Sequence, residues 1–261
     1  MFEARLAQGA VLKAVIEAFK DMVTEGTWDC DKKGITMQAM DSSHISLCAM
    51  NLVAEGFEHY RCDKPLALGL SLVNLAKILK CAANDDSVTI RCADDADVST
   101  FIFENSKSDK VSEFEFKLMN IDGESLNVPD KKFDCRIKMP SREFRTIISD
   151  LMQLGDSCTI NVTKEGVSFA VSGDLGTGNV TLKQTTSVDE KKGSHAVTIE
   201  MTNPVKLSFA CRNLQNFTKA TALSEYVHLS LSSDHPLVVE YTMDAGDIKF
   251  YLAPKLDEDQ Q

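Results

Sequence analysis

Asp41-Ser42-Ser43-His44 brings an acid, two hydroxyls and an imidazole within four positions, the residue types of a nucleophilic relay. Neighbours on an extended chain alternate sides and cannot pass a proton along a line, so the stretch reads as a turn or strand entry. Gly173-Asp174-Leu175-Gly176-Thr177-Gly178 looks like a phosphate-cradling loop. It lacks the GxGxxG order and leads into a strand, so a hairpin connection is expected; no GxxxxGK[ST] occurs. The five histidines (44, 59, 195, 228 and 235) show neither HExxH nor other metal spacing. The eight cysteines (30, 48, 62, 81, 92, 135, 158 and 211) never approach within a CxxC pair. The acidic pairs Asp85-Asp86 and Asp94-Asp95 read as solvated turns. Nothing here specifies a reaction, so no enzyme, metal or cofactor is expected. The start, MFEARLAQGAVLKAV, lacks a secretory pattern, and no window approaches roughly 18 uninterrupted apolar residues. Reduced thiols in an intracellular protein without a membrane partner follow as expectations.

Positive charge is the chemistry that remains. The chain has 261 residues, 43% hydrophobic, with 39 acidic against 28 basic residues and a net charge of −11. A surface that grips nucleic acid all over is excluded; a local basic stripe is not. On a helical wheel, Lys13 with Lys20, Lys77 with Lys80, Arg142 with Arg145, and Arg212 with Lys219 each lie opposite an apolar stripe. The segments carrying them (9–23, 72–83, 141–153 and 210–222) sum to +4, which leaves −15 for the remainder. Lysine and arginine also simply solvate helices, and at any one helix that bland account is the stronger. Four occurrences in an acidic chain weaken it. Cations lining one surface can track phosphates without reading bases, and the lack of interleaved aromatics suits duplex backbone rather than stacked single strands.

Those cations ride on four segments with the 3.6-residue apolar period. They are Gly9–Val23, Leu72–Ala83, a helix opening at Pro140-Ser141 with Ser141 as N-cap and Gly155 as stop, and Ala210–Ala222. Between them lie alternating β-rich runs: 34–40, 43–52, 87–92, 99–104, 111–118, 158–163, 167–172, 179–184, 196–201, 227–232, 237–242 and 248–252. Turn signals such as Asp31-Lys32-Lys33-Gly34, Lys164-Glu165-Gly166 and Asp244-Ala245-Gly246-Asp247 separate them. The order strand, helix, meander recurs four times, which predicts duplicated units. The expected fold is α+β, with antiparallel sheets and the helices on one face. The expected domains are 1–117 and 135–256, joined by a linker at 118–134 and followed by an acidic tail at 257–261.

The opening MFEARL, Met40-Asp-Ser-Ser-His44, Glu55-Gly-Phe57, Tyr60-Arg-Cys62, Lys77-Ile-Leu-Lys-Cys81, Lys117-Leu-Met119, Phe217-Thr-Lys-Ala-Thr221, Pro236-Leu-Val-Val-Glu-Tyr241 and Tyr251-Leu-Ala-Pro-Lys255 form separated blocks in one order. Over nearly the whole chain they resemble the sliding clamps of the proliferating cell nuclear antigen family. The resemblance implies a nuclear, homotrimeric ring of six similar domains around double-stranded DNA. Twelve helices would line the passage, and the clamp would act as a processivity factor in replication and repair, including translesion synthesis. It further implies partners: DNA polymerase delta, the clamp loader, flap endonuclease, DNA ligase and other PIP-box proteins. Their peptides would enter a pocket of Met40, His44, Ile45, Leu47, Leu126, Val128, Pro129, Pro236, Tyr251, Leu252, Ala253 and Pro254. Ring closure would pair Lys110–Lys117 of one chain with Thr177–Lys183 of the next. Cys81, Lys110, Phe114, Phe116, Leu151, Thr177, Gly178 and Val180 would stand at that contact. Lys164 matches the family lysine that carries ubiquitin or SUMO. Ser149 and Gln153 depart from more ionisable relatives, and Asn213 stands where relatives often have an aromatic. An alternative reading, from the net charge and the third-helix departures, is an interaction scaffold that no longer encircles DNA.

Overall fold

The computed structural model describes residues 1–94, 97–105, 107–121, 132–184 and 196–255. The chain divides into two units, Met1–Asn127 with Met243–Ile248, and Val128–Thr242 with Lys249–Gln261. The first contains β1 (Phe2–Leu6), α1 (Gly9–Phe19), β2 (Glu25–Asp31), β3 (Gly34–Met40), β4 (Ser46–Val53) and β5 (His59–Cys62). A second round follows: β6 (Leu66–Ser71), α2 (Leu72–Leu79), β7 (Ser87–Cys92), β8 (Val98–Asn105) and β9 (Lys110–Lys117). The second unit opens with β10 (Cys135–Pro140), α3 (Ser141–Leu151), β11 (Ser157–Thr163), β12 (Gly166–Gly173), β13 (Gly176–Leu182) and β14 (Thr198–Met201). It closes with β15 (Val205–Ala210), α4 (Cys211–Phe217), β16 (Tyr226–Ser232), β17 (His235–Met243) and β18 (Gly246–Leu252). The fourfold strand–helix–meander order is as expected.

The two units repeat one topology. In the first, β5-β1-β7-β8-β9 and β6-β2-β3-β4 run in hydrogen-bonded order; in the second, β14-β10-β16-β17-β18 and β13-β12-β11-β15 do so. Each row joins the opening strand of one repeat to the meander of the other, β1 to β7 and β6 to β2, then β10 to β16 and β15 to β11, all antiparallel. Lacing of this kind makes two repeats one cooperative unit. The helix ends are laced as well. The first N–H of each helix donates to a carbonyl just past its partner helix: Gly9 to Asp86 (2.7 Å), Leu72 to Thr24 (2.9 Å), Ser141 to Glu225 (2.9 Å) and Cys211 to Asp156 (2.9 Å). Otherwise unpaired amides are thereby satisfied, and α1 is set antiparallel to α2, and α3 to α4.

Several expectations are corrected. The helices are shorter than their apolar periods, because the final turns tighten or leave the helix; α4 passes into a 3-10 turn at Thr218–Ala222. Ser141 does not cap α3. It is the first helical residue, and its hydroxyl donates to the Ser224 carbonyl at 2.5 Å. Gly155 does not stop α3, which ends at Leu151; a Cβ there would stand 2.8 Å from the Ser172 carbonyl oxygen. No strand runs from Ser43. Residues 41–45 form a turn with His44 at φ 56°, and β4 starts at Ser46. Ser71, not foreseen, caps α2 by accepting from the Asn74 amide at 3.4 Å.

Two hairpin glycines are required by their surroundings. Gly34 (φ +148°) and Gly166 (φ +153°) open β3 and β12, the middle strands of equivalent meanders. A Cβ would meet the Leu52 carbonyl oxygen at 2.0 Å in one and the Leu182 carbonyl oxygen at 2.3 Å in the other. Both conformation and space therefore exclude a side chain.

Candidate nucleic-acid interface

Each helix buries its apolar stripe. Leu12, Val15, Ile16 and Phe19 go inward from α1, Leu72, Leu75 and Leu79 from α2, Phe144, Ile147, Ile148 and Leu151 from α3, and Leu214 and Phe217 from α4. On the far sides Lys77, Lys80, Arg142, Arg145, Arg212 and Lys219 are exposed. Amide side chains three residues back orient two of them: Lys77 donates to Asn74 Oδ1 (3.1 Å) and Lys219 to Asn216 Oδ1 (2.9 Å). The other two predicted cations are half-buried. Lys13 donates to the Ala82 carbonyl and to Asn84 Oδ1 at 3.3 Å, which ties α1 to the chain after α2. Lys20 pairs with Glu17 at 2.7 Å, and that carboxylate holds its ammonium charged to higher pH than usual. Eight equivalent cations thus become six outward charges and two with local structural work. Ser149, a departure noted in the sequence, bonds Gln215 Oε1 at 3.2 Å and stitches α3 to α4; Gln153 reaches back to the Ser149 carbonyl at 3.4 Å.

Each unit also presents an edge. β9 ends the row β5-β1-β7-β8-β9, and β13 ends the row β13-β12-β11-β15. Among the described residues, the two most open of the exposed large apolar side chains lie at these edges: Val111 on β9 (63%) and Leu175 in the turn entering β13 (83%). Long, exposed strand edges with apolar side chains are sites for pairing with another chain. Leu175 was not singled out in the sequence, where it looked like an ordinary hairpin residue.

Residues 1–126 match the family model described as proliferating cell nuclear antigen, N-terminal domain, and residues 127–256 match that of the C-terminal domain. The chain belongs to the proliferating cell nuclear antigen family. It is a DNA sliding clamp and not an enzyme. The clamp fold implied by the resemblance, two similar domains of antiparallel sheets carrying four helices, is the fold observed.

The other predicted residues are described unit by unit. In the first, Met40 and Ile45 are exposed apolar side chains (38% and 48%) flanking the 41–45 turn, with His44 exposed beside them. Asp41 builds that turn: its Oδ1 accepts from the Ile45 amide (3.0 Å) and the Ser46 amide (2.8 Å), and Ser43 donates to Oδ2. Burial opposes ionisation of Asp41, yet these three donors outweigh it and hold the carboxyl below its usual range. In the second unit Pro236 and Ala253 are exposed and Tyr251 and Pro254 half-buried. Leu47 and Leu252 differ from the rest. Leu252 follows Ile248 and Phe250 inward along β18 and belongs to the core, whereas Leu47 lies on the opposite face of β4 from Cys48, Met50 and Leu52 and is buried there all the same. Leu126, Val128 and Pro129 lie outside the described residues, as does the tail.

Of the residues expected at the subunit contact, Lys110 on β9, Thr177 on β13 and Cys81 just past α2 are exposed, and Phe114, Gly178 and Val180 half-buried. Phe116 and Leu151 are instead buried in their own units, Phe116 against Phe101 at 6.0 Å. Gly178 admits the end of α3: a Cβ there would stand 2.6 Å from Leu154 Cδ1 and 2.8 Å from Leu151 Cδ2. Lys164 is exposed at the tip of the β11–β12 hairpin.

Proposed function

We propose that three copies of this clamp close into a ring around duplex DNA, β9 of one chain pairing with β13 of the next. The single observation that carries this reading is the pairing of outward cations with the helices while the rest of the chain is acidic. Lys77, Lys80, Arg142, Arg145, Arg212 and Lys219 then face the phosphates, with Lys13 and Lys20 behind them. A ring needs no tight grip to stay in place, and weak, sequence-blind contacts permit sliding. The apolar residues around Met40 and Ile45, with Pro236, Tyr251, Ala253, Pro254 and the linker residues Leu126, Val128 and Pro129, receive the aromatic anchors of PIP-box peptides. DNA polymerase delta, the clamp loader, flap endonuclease and DNA ligase are the partners of this class, and the nucleus is the compartment. Lys164 is the position for ubiquitin or SUMO, its exposed hairpin tip offering a reachable amine.

Light scattering of the purified chain tests ring closure. A mass three times that of one chain at micromolar concentration is expected, and a stable single-chain mass contradicts it.

A further inference from the structure

The chain leaving β9 turns back onto β6. Leu118 donates its N–H to the Asp97 carbonyl at 2.8 Å, and Met119 donates its own to the Gly69 carbonyl at 2.9 Å. Gly69 lies so close beneath this segment that a Cβ on it would stand 1.9 Å from the Met119 oxygen, 2.9 Å from its carbonyl carbon and 3.3 Å from Ile121 Cγ1. The backbone of Gly69 lies outside the left-handed region, so glycine supplies room here and not conformation. A glycine inside a strand weakens it, and close approach of another backbone is the usual compensation.

The second unit carries the same clasp with a different residue. The Lys255 amide, just past β18, donates to the Ser208 carbonyl on β15 at 2.8 Å. Ser208 precedes α4 by the same three positions that separate Gly69 from α2. Its side chain turns elsewhere, onto Thr159 Oγ1 at 2.8 Å. Only in the first unit does the returning chain lie where a side chain would be, and there the segment leads from β9 into the linker.

We propose that Gly69 is a positioning residue for capture of partner peptides. By letting Met119 and Ile121 lie flat on β6, it holds residues 119–121 in place at the start of the linker, so peptide binding does not have to order them. The inference rests on the peptide-binding reading above.

The test measures the affinity of a fluorescent PIP-box peptide for the unaltered clamp and for two variants that break the clasp from opposite sides. Gly69→Ala pushes a methyl group against the Met119 carbonyl. Met119→Pro removes the donated N–H and leaves β6 untouched, so it carries the test alone if Gly69→Ala fails to fold. Both variants are expected to bind at least about fivefold more weakly, because binding then includes ordering the freed segment. Hydrogen exchange at Met119 should accelerate in Gly69→Ala, with oligomeric mass and DNA retention unchanged, an outcome that general destabilisation does not produce. Equal affinity in all three proteins overturns the role of Gly69 while leaving the peptide reading intact. Failure of the unaltered clamp to bind the peptide overturns both.

Discussion

Lysine at both Val111 and Leu175 is expected to convert the assembly into single chains. Both side chains are largely open in the isolated chain, at 63% and 83% exposure, so replacing them leaves the fold almost untouched, within about 0.5 kcal/mol. If β9 and β13 meet in the ring, each loses an apolar contact worth about 1.5–3 kcal/mol on full burial. Together that weakens each subunit contact by about two to four orders of magnitude. Lysine also opposes pairing at a strand edge, because its ammonium resists desolvation. Sedimentation of the double variant should show single chains at concentrations where the parent is assembled, with an unchanged circular dichroism spectrum and a melt lowered only by the loss of assembly. A variant that assembles like the parent would move the contact away from these edges.

The second large effect concerns the cations. Replacing Lys77, Arg142, Arg212 and Lys219 with Ala should lower DNA affinity and flatten its salt dependence. Each phosphate contact contributes a log–log slope of about 0.9, so four lost contacts remove roughly 3 to 4 units for a fully engaged chain. Lys13 and Lys20 are left in place, because their ties to Ala82, Asn84 and Glu17 would confuse loss of charge with loss of structure. Lys32→Ala with Lys33→Ala, exposed in the β2–β3 hairpin and off the helices, is the control and should change neither quantity. Binding isotherms across a salt series make the comparison. An unchanged slope in the helix variant favours a scaffold that does not hold DNA through these helices.

The helices and their charged faces were legible because a 3.6-residue period survives in any surroundings. Several strands were harder to read. β2 contains Gly26 and the acids Glu25, Asp29 and Asp31, a composition hostile to strands, yet Gly26, Trp28 and Cys30 alternate inward. Tertiary pairing with β3 and β6 overrides its weak propensity. β10 was hidden for another reason: its alternation of Cys135, Ile137 and Met139 is short and runs straight into α3. Ser141 looked like a cap from its position alone, whereas the loop carbonyls of Ser224 and Glu225, far along the chain, claim its donors. The same limit hid the work of Lys13, Gly69 and Leu175. No local pattern marks a residue whose purpose is set by a segment arriving from elsewhere.

The residues proposed for the peptide pocket come from resemblance and not from pattern. Met40 and Ile45 read as strand hydrophobics, and only the Asp41-built turn shows that they point outward. Leu47 and Leu252, equally apolar in sequence, prove to be buried, Leu252 on the inward face of its strand and Leu47 on the other.

Encirclement is tested most directly by loading the clamp onto a nicked circular duplex, washing at high salt, and then cutting the circle once. High salt removes phosphate contacts, so only topology can retain the protein. Retention on the intact circle followed by rapid loss after cutting is the predicted result. Equal retention before and after cutting, or loss during the wash, contradicts a ring.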